Sequence, residues 1–257
     1  MAQFGSASAL GAEGRRFESG YPDRHEGNTA VSIRKQLDSE PRPGVRTFTP
    51  RWRTSPLTVE RMERLLPAAQ VPDGPLDPET VFGRVAPLVV EIGSGHGAAA
   101  VAYAMEHPEH DVLAIEVHVP GVARMLAAAE EGGITNLRVH RGDAIPYLTD
   151  AVPGGSVSVI HLFFPDPWGK KKHAKRRFVQ QHTLDLFARL LRPDGAVHVA
   201  TDRDDYAEHV LEQVTAHGNW QLERISRPAW RPTDGFEDKG IRAGRTITDL
   251  VLRPVRD

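Results

Sequence analysis

LVVEIGSGHGAAAVAYAMEH, residues 88–107, is the stretch whose reading decides the fold. Leu88 to Ile92 is apolar except for Glu91, the length and composition of a buried strand. Glycines follow at 93, 95 and 97, and an alanine-rich run continues to His107 without a helix breaker. Strand, glycine turn and helix in succession open a doubly wound sheet. The glycines let a ligand approach the backbone and the helix N-terminus closely.

The alternation continues outward. VLAIEV (112–117) leads into a helix over 119–131, and LRVH (137–140) is followed by Gly142 and Asp143. VSVIHLF (157–163) precedes a helix from about 177 to 191, and AVHVAT (196–201) precedes one over 204–217. NWQLERI (219–225) and RTITDLVLR (245–253) close the chain as strands with no helix between them, which predicts an antiparallel pair at one edge. Apolar strands separated by helices predict an α/β, doubly wound, mostly parallel, Rossmann-like sheet covered on both faces.

Upstream, residues 1–55 read as a flexible arm rich in Gly, Ser, Pro and Arg, and 56–257 as the folded domain. The arm carries Arg34, Lys35, Arg42, Arg46, Arg51 and Arg53 against Asp38 and Glu40 between 31 and 53. Leu57–Leu66 is an amphipathic helix candidate, ended by a proline-rich linker from Pro67 to Pro78. A net charge of −2 makes local patches, not the total, decide any binding to nucleic acid. The absence of cysteine excludes disulfides, thiolate metal sites and a cysteine nucleophile. The longest apolar runs are strand-sized and the N-terminus lacks a signal-peptide core, so a soluble, cytoplasmic protein is the expectation. Monomer and homodimer stay equally open.

The spacing G-x-G-x-G at Gly93, Gly95 and Gly97 differs from the G-x-G-x-x-G of dinucleotide binders. Glu91 just before it would repel a pyrophosphate but attract a sulfonium or an amino group. Both details favour S-adenosylmethionine as cofactor. Glu116, at the end of the second strand, is placed to accept two ribose hydroxyls, and Asp143, after the third, an adenine amino group.

FFPDPWGKKKHAKRR, residues 163–177, joins an acid, an aromatic ring and a cationic tract. Asp166 and Trp168 at a strand end suit a planar base. Lys170, Lys171, Lys172, Lys175, Arg176 and Arg177 suit a phosphate backbone. Methyl transfer from a sulfonium needs alignment more than acid–base groups. None of the 12 histidines forms a helical metal-ligand pair, and no metal is expected. A ring-nitrogen acceptor becomes cationic on methylation, and Asp166 is the carboxylate that would stabilise it. An exocyclic-amine methyltransferase is the alternative, but Asp166-Pro167-Trp168 lacks the second proline of its [DN]-P-P-[FYW] signature. A non-catalytic RNA-binding module would have lost Glu116 or the glycines, and a nicotinamide dehydrogenase is opposed by the turn spacing and Glu91.

EIGSGHG, Glu116, GDA at 142–144, FPDPWGKKKHAKRR, ATD at 200–202, and FEDKG followed by TITDL together resemble the bacterial tRNA (guanine-N7)-methyltransferases, over about residues 45–257. The resemblance implies a seven-stranded class I S-adenosylmethionine-dependent fold and methylation of N7 of guanosine 46 in the tRNA variable loop. It places Glu91, Glu116, Asp143 and Asp166 on the methyl donor, with Asp166 also catalytic. Lys170, Asp202 and a T-x-F-E segment, here Asp234-Gly235-Phe236-Glu237, fall on the substrate. Two departures stand out: Gly169 where the family has proline, and Asp234 where it has threonine, with Thr233 one place early. Gly169 should loosen the turn before Lys170, and Asp234 can accept a hydrogen bond but not donate one as threonine does.

Overall fold

The computed structural model describes residues 54–233 and 235–256. The basic residues of the arm, Arg34 to Arg53, and Asp234 lie outside them. The first helix, α1, spans Pro56–Ala69 and a short α2 spans Pro78–Phe82. Six strand-helix alternations follow: β1 Leu88–Ile92, α3 Ala98–Glu106, β2 Asp111–Ile115, α4 Val119–Glu131, β3 Leu137–His140 and α5 Ala144–Asp150, then β4 Val157–Phe163, α6 Gln181–Leu190, β5 Leu191–Thr201, α7 Asp204–His217, β6 Trp220–Ile225 and α8 Gly235–Arg242. Strand β7, Thr248–Pro254, is the last element of the chain.

The sheet order is β3-β2-β1-β4-β5-β7-β6. Pairings from β3 to β5 are parallel, and β7 runs antiparallel to both neighbours. Every residue of β1 and β2 is buried, because helices cover both faces. Alternate residues feed two cores: Val89, Val112 and Ala114 pack on Val122 and Met125, while Val90, Leu113 and Ile115 join Ile160, Phe187 and Tyr206. The strand order switches direction between β1 and β4, so a crevice opens there at the C-terminal strand ends. The seven-stranded, mostly parallel α/β architecture expected from the sequence is present. Among the described residues no helix is long and apolar enough to cross a membrane.

Several boundaries differ from expectation, among them the starts of β5, at Leu191 and not 196, and of β7, at Thr248 and not 245. Helix α1 runs through Pro67 to Ala69 and closes with the Gln70 amide on the Leu66 carbonyl, 2.8 Å away. The basic tract is a 3₁₀ helix, Lys171–Arg176, separated from α6 by an extended segment. A reciprocal cap between Gln180 and Thr183 starts α6 four residues later than the pattern suggested. Strand β2 stops at Ile115, leaving Glu116 one residue beyond it. The short α2 and α5 are also new, and so is α8, which stands between β6 and β7, where no helix was expected. Its inward residues are Glu237 and Gly240, so it carries no apolar period to read.

Candidate active site

The glycine turn after β1 sets the floor of the crevice. Gly93, Gly95 and Gly97 all have left-handed φ, at 71°, 58° and 78°. The Gly93 amide donates to the Ile115 carbonyl at 2.8 Å, tying the turn to β2. A Cβ on Gly97 would fall 2.2 Å from Met125 Cγ, so only glycine lets α3 start this close to α4.

Three acids face this turn, each held differently. Glu116 is buried and accepts from the amides of Gly95 (2.6 Å), Val117 (2.7 Å) and His118 (2.7 Å). Burial raises its pKa, and those amides oppose the rise. Glu91 is 3% exposed, and its Oε2 has no hydrogen-bond partner among the described residues. The Nδ1 of His161, an imidazole that burial keeps neutral, lies 3.9 Å away. Burial, then the charge of Glu116, pushes the Glu91 carboxyl up to about 8. Asp143 caps α5, accepting from the Ile145 amide at 3.1 Å. Ser94 Oγ is a second buried polar atom without a partner. These acids and Ser94 line one cavity of about 790 Å³, together with Gly93, Gly95 and Asp166.

Asp166 reaches this cavity on an unusual loop. Phe164 and Trp168, at its two ends, have φ of 49° and 42°, conformations that bulky side chains rarely adopt. The loop is braced from several sides. The Phe164 amide donates to the Ala200 carbonyl at 2.7 Å. The Arg231 guanidinium lies 5.0 Å over Phe163 and 5.6 Å over Phe164, and that of Arg176 lies 4.8 Å over Trp168. The Asp166 carboxylate is exposed to the cavity, makes no hydrogen bond among the described residues, and is raised by partial burial.

The cationic tract divides in two. Lys170, Lys172, Lys175 and Arg176 are exposed. Arg177 departs from the phosphate-facing role expected for it. It is 9% exposed, with Nε on the Pro167 carbonyl, Nη1 on the Asp205 carbonyl and Nη2 on the Asp205 carboxylate, all at 2.8 Å. Its donors are spent on holding the Asp166 loop to α7. Gly169 has no left-handed φ, and an added Cβ would meet nothing closer than Arg203 Nη2 at 3.9 Å, so the backbone does not require glycine there.

The remaining expected substrate residues sit apart from one another. Asp202 pairs with Arg245 at 2.7 Å, packs against Gly240 of α8, and does not line the cavity. Gly235 and Phe236 stand on the cavity rim, with Phe236 62% exposed. Glu237 lines the cavity wall but is 1% exposed and ion-paired to Arg227 (2.5 Å) and Arg231 (3.1 Å). It braces α8 more than it offers a free acceptor.

Several residues of the site escaped the sequence reading. Arg231, buried at 2%, bonds Glu237 and Asp249, and Asp249 also bonds His198 Nε2 at 2.9 Å. Burial alone would raise the Asp249 carboxyl, yet the bonds from His198 and Arg231 hold it below the usual carboxylate range. His161 stacks on Trp230 in the core beneath Glu91. Their only trace in the sequence is an arginine between prolines, RPAWRP, and the acid of TITDL. Elsewhere the loop after α3 groups His107, Glu109 and His110, whose ligand atoms lie within 4.8 Å of one another.

Known proteins show which family this chain belongs to. A family model described as "Putative methyltransferase" matches residues 85–250. A tRNA (guanine-N(7)-)-methyltransferase of Nitrosomonas eutropha is 43% identical over 195 residues, spanning 74% of this chain and 87% of that protein. One of Halorhodospira halophila is 42% identical over 224 residues, spanning 84% of this chain and 96% of that protein. A solved rRNA methylase from Streptococcus thermophilus has a TM-score of 0.46 and 13% identity, over 66% of this chain and 88% of that one. With relatives of this identity matched along most of their length, the chain belongs to the tRNA (guanine-N7)-methyltransferase family.

Proposed function

We propose that this protein methylates N7 of guanosine 46 in the variable loop of tRNA, using S-adenosylmethionine as donor. One observation carries the reading: Asp166, on its strained loop, shares a cavity with Glu91, the glycine turn, Glu116 and Asp143, and cations stand at the rim. When bound, S-adenosylmethionine supplies a methyl group carried on a positively charged sulfur. The residues fit such a group. Glu91 Oε2 and Ser94 Oγ are buried polar atoms in need of a partner, and the cavity wall is rich in acids that suit a cation bearing hydroxyls. Glu116 would take the ribose hydroxyls, Asp143 the adenine amino group, and Glu91 the amino or sulfonium charge.

The protein's own tasks are alignment and charge. Guanine N7 carries a free lone pair and no proton, so no general base is required. Its methylation leaves a cationic ring, and Asp166 offers a carboxylate unencumbered by hydrogen bonds. Trp168 gives a flat face for a base. Exposed Lys170, Lys172 and Lys175, with the outer edge of Arg176 above Trp168, would meet phosphates, whereas Phe236 on the cavity rim belongs to the acceptor side, and Asp202 and Glu237, both ion-paired, would act by holding α8 there. Acting on tRNA, the enzyme would work in the cytoplasm.

The test is to incubate the full chain with labelled donor and unmodified tRNA, then identify the methylated nucleoside and its position. Only 7-methylguanosine leaves a fixed positive charge that makes the strand cleavable after borohydride and aniline. Methylated tRNA that resists cleavage would point to an exocyclic amine and overturn the reading, as would incorporation at any guanosine other than 46.

A further inference from the structure

Arg231 is the most deeply buried of the cations that line the cavity. Its Nε and Nη2 donate to Glu237 at 3.1 and 3.2 Å, and its Nη1 and Nη2 to Asp249 at 2.5 and 3.0 Å. Four of the five N–H groups of a guanidinium are thus spent on two carboxylates. Its flat face covers Phe163 and Phe164, the last residue of β4 and the first of the Asp166 loop. Asp249, on β7, is oriented in turn by His198 of β5. The Arg231 carbonyl accepts from Arg227, which also grips Glu237.

Stability does not account for this arrangement. Taking charges out of water is costly, and buried ion pairs replaced by apolar residues often leave a protein equally stable. The network is also placed where the backbone is least relaxed. It bears on Phe164, whose φ of 49° costs on its own and persists only if neighbours enforce it. On its other side it holds Glu237, and therefore the start of α8 with Phe236 on the cavity rim.

We propose that Arg231 is a positioning residue for methyl transfer, held by Asp249, that fixes the Asp166 loop and the N-terminal turn of α8 in one register. It touches no reacting atom. It sets the distance between the wall that presents Asp166 and the rim that presents the acceptor base. The proposal rests on the methyltransferase reading above and adds a role for residues that reading leaves unassigned.

The test uses two variants of the full chain. Asp249→Asn removes one clamp charge without touching the cavity, since Asp249 does not line it. Arg231→Lys keeps the charge but loses the fork and the flat cation over the two rings. In both, single-turnover methylation of tRNA should fall roughly tenfold to hundredfold, the scale of a misplacement of about 1 Å. Donor affinity should stay at the wild-type level. Hydrogen exchange at the Phe164 amide, which donates to the Ala200 carbonyl, should quicken, which a purely stabilising role would not cause at temperatures far below unfolding. Wild-type turnover per folded molecule, whatever the melting temperature, would overturn the proposal. If wild-type protein fails to methylate tRNA, the functional reading falls, and exchange alone decides: unchanged protection at the Phe164 amide overturns the clamp.

Discussion

Raising the pH from 6.5 to 9 should destabilise the free protein through one side chain, Glu91. Its carboxyl titrates near 8 in the fold, pushed there by burial and by Glu116, and near 4.5 in the unfolded chain. Between those values the folded protein holds a proton that the unfolded chain has released. Stability therefore falls as pH rises through the window, by about 1.4 kcal/mol per pH unit. His161 acts with the opposite sign. Burial holds its imidazole well below the usual 6.5, so below that pH the unfolded chain binds a proton the fold refuses. His110, His140 and His209 are lowered by burial too and add to this rise of stability with pH.

The two effects offset each other below pH 6.5 and separate above it. The histidine effect fades over about one pH unit above 6.5, as the unfolded imidazoles lose their last protons, and it is common to wild type and a Glu91 variant; the chain has no cysteine to titrate. The part carried by Glu91 alone, with rounding near the folded value, is a loss of about 2 kcal/mol between pH 6.5 and 9. For a domain of this size that lowers the melting temperature by roughly 4–8 °C. The assay is thermal unfolding of wild type and Glu91→Gln across this range, since glutamine keeps the shape and has no proton to lose. Glu116 and Asp166, also raised by burial, are common to both proteins and cancel in the comparison. Wild type should fall relative to the variant as the pH rises. Parallel curves would refute the argument that Glu91 is buried protonated.

Three further outcomes are expected. Glu116→Ala should weaken donor binding at least roughly tenfold by calorimetry, at about 1.5–3 kcal/mol per charged hydrogen bond removed, while Glu116→Gln, which still accepts, loses less. Neutralising Lys172, Lys175 and Arg176 together should weaken tRNA binding and flatten its logarithmic salt slope by roughly 0.7–0.9 for each phosphate no longer neutralised, leaving donor affinity unchanged; Arg177→Ala should instead lower the melting temperature, because it strips Asp205 and the Pro167 carbonyl of their partner. Asp166→Asn should cut turnover about 10²- to 10³-fold with little change in tRNA affinity, and equal losses in both would make Asp166 a binding residue.

The sheet and most helices were legible because their causes are local. Helices α4 and α7 fall at the residues the pattern predicted, each with an apolar face. The acids at the ligand edge were legible for the same reason, since the end of a parallel strand delivers the next side chain to the crevice. Helix α8 was not, because burying Glu237 and Gly240 leaves no hydrophobic stripe. Nor was the Arg231 clamp. Its partners stand 6 and 18 residues away, brought together only by the return of β7 between β5 and β6. No periodicity marks a contact made across a sheet by charges.

The basic tract shows how one composition serves two purposes. Lysine is a hydrated point charge on a flexible stem, whereas arginine is a flat fork that stacks and bonds carbonyls in pairs. The chain uses them accordingly. Lys170, Lys172 and Lys175 are exposed, but Arg176 lies over Trp168, Arg177 bonds Pro167, and Arg231 covers Phe164. Three arginines thus close on the five residues from Phe164 to Trp168, whose two left-handed ends cost roughly 1–3 kcal/mol each. Proline on each side of Asp166 removes two backbone donors that could otherwise have tied the loop down, so side chains must enforce its shape. A cationic stretch that sequence alone assigns wholly to nucleic acid is, in its arginines, largely the scaffold that aims a carboxylate.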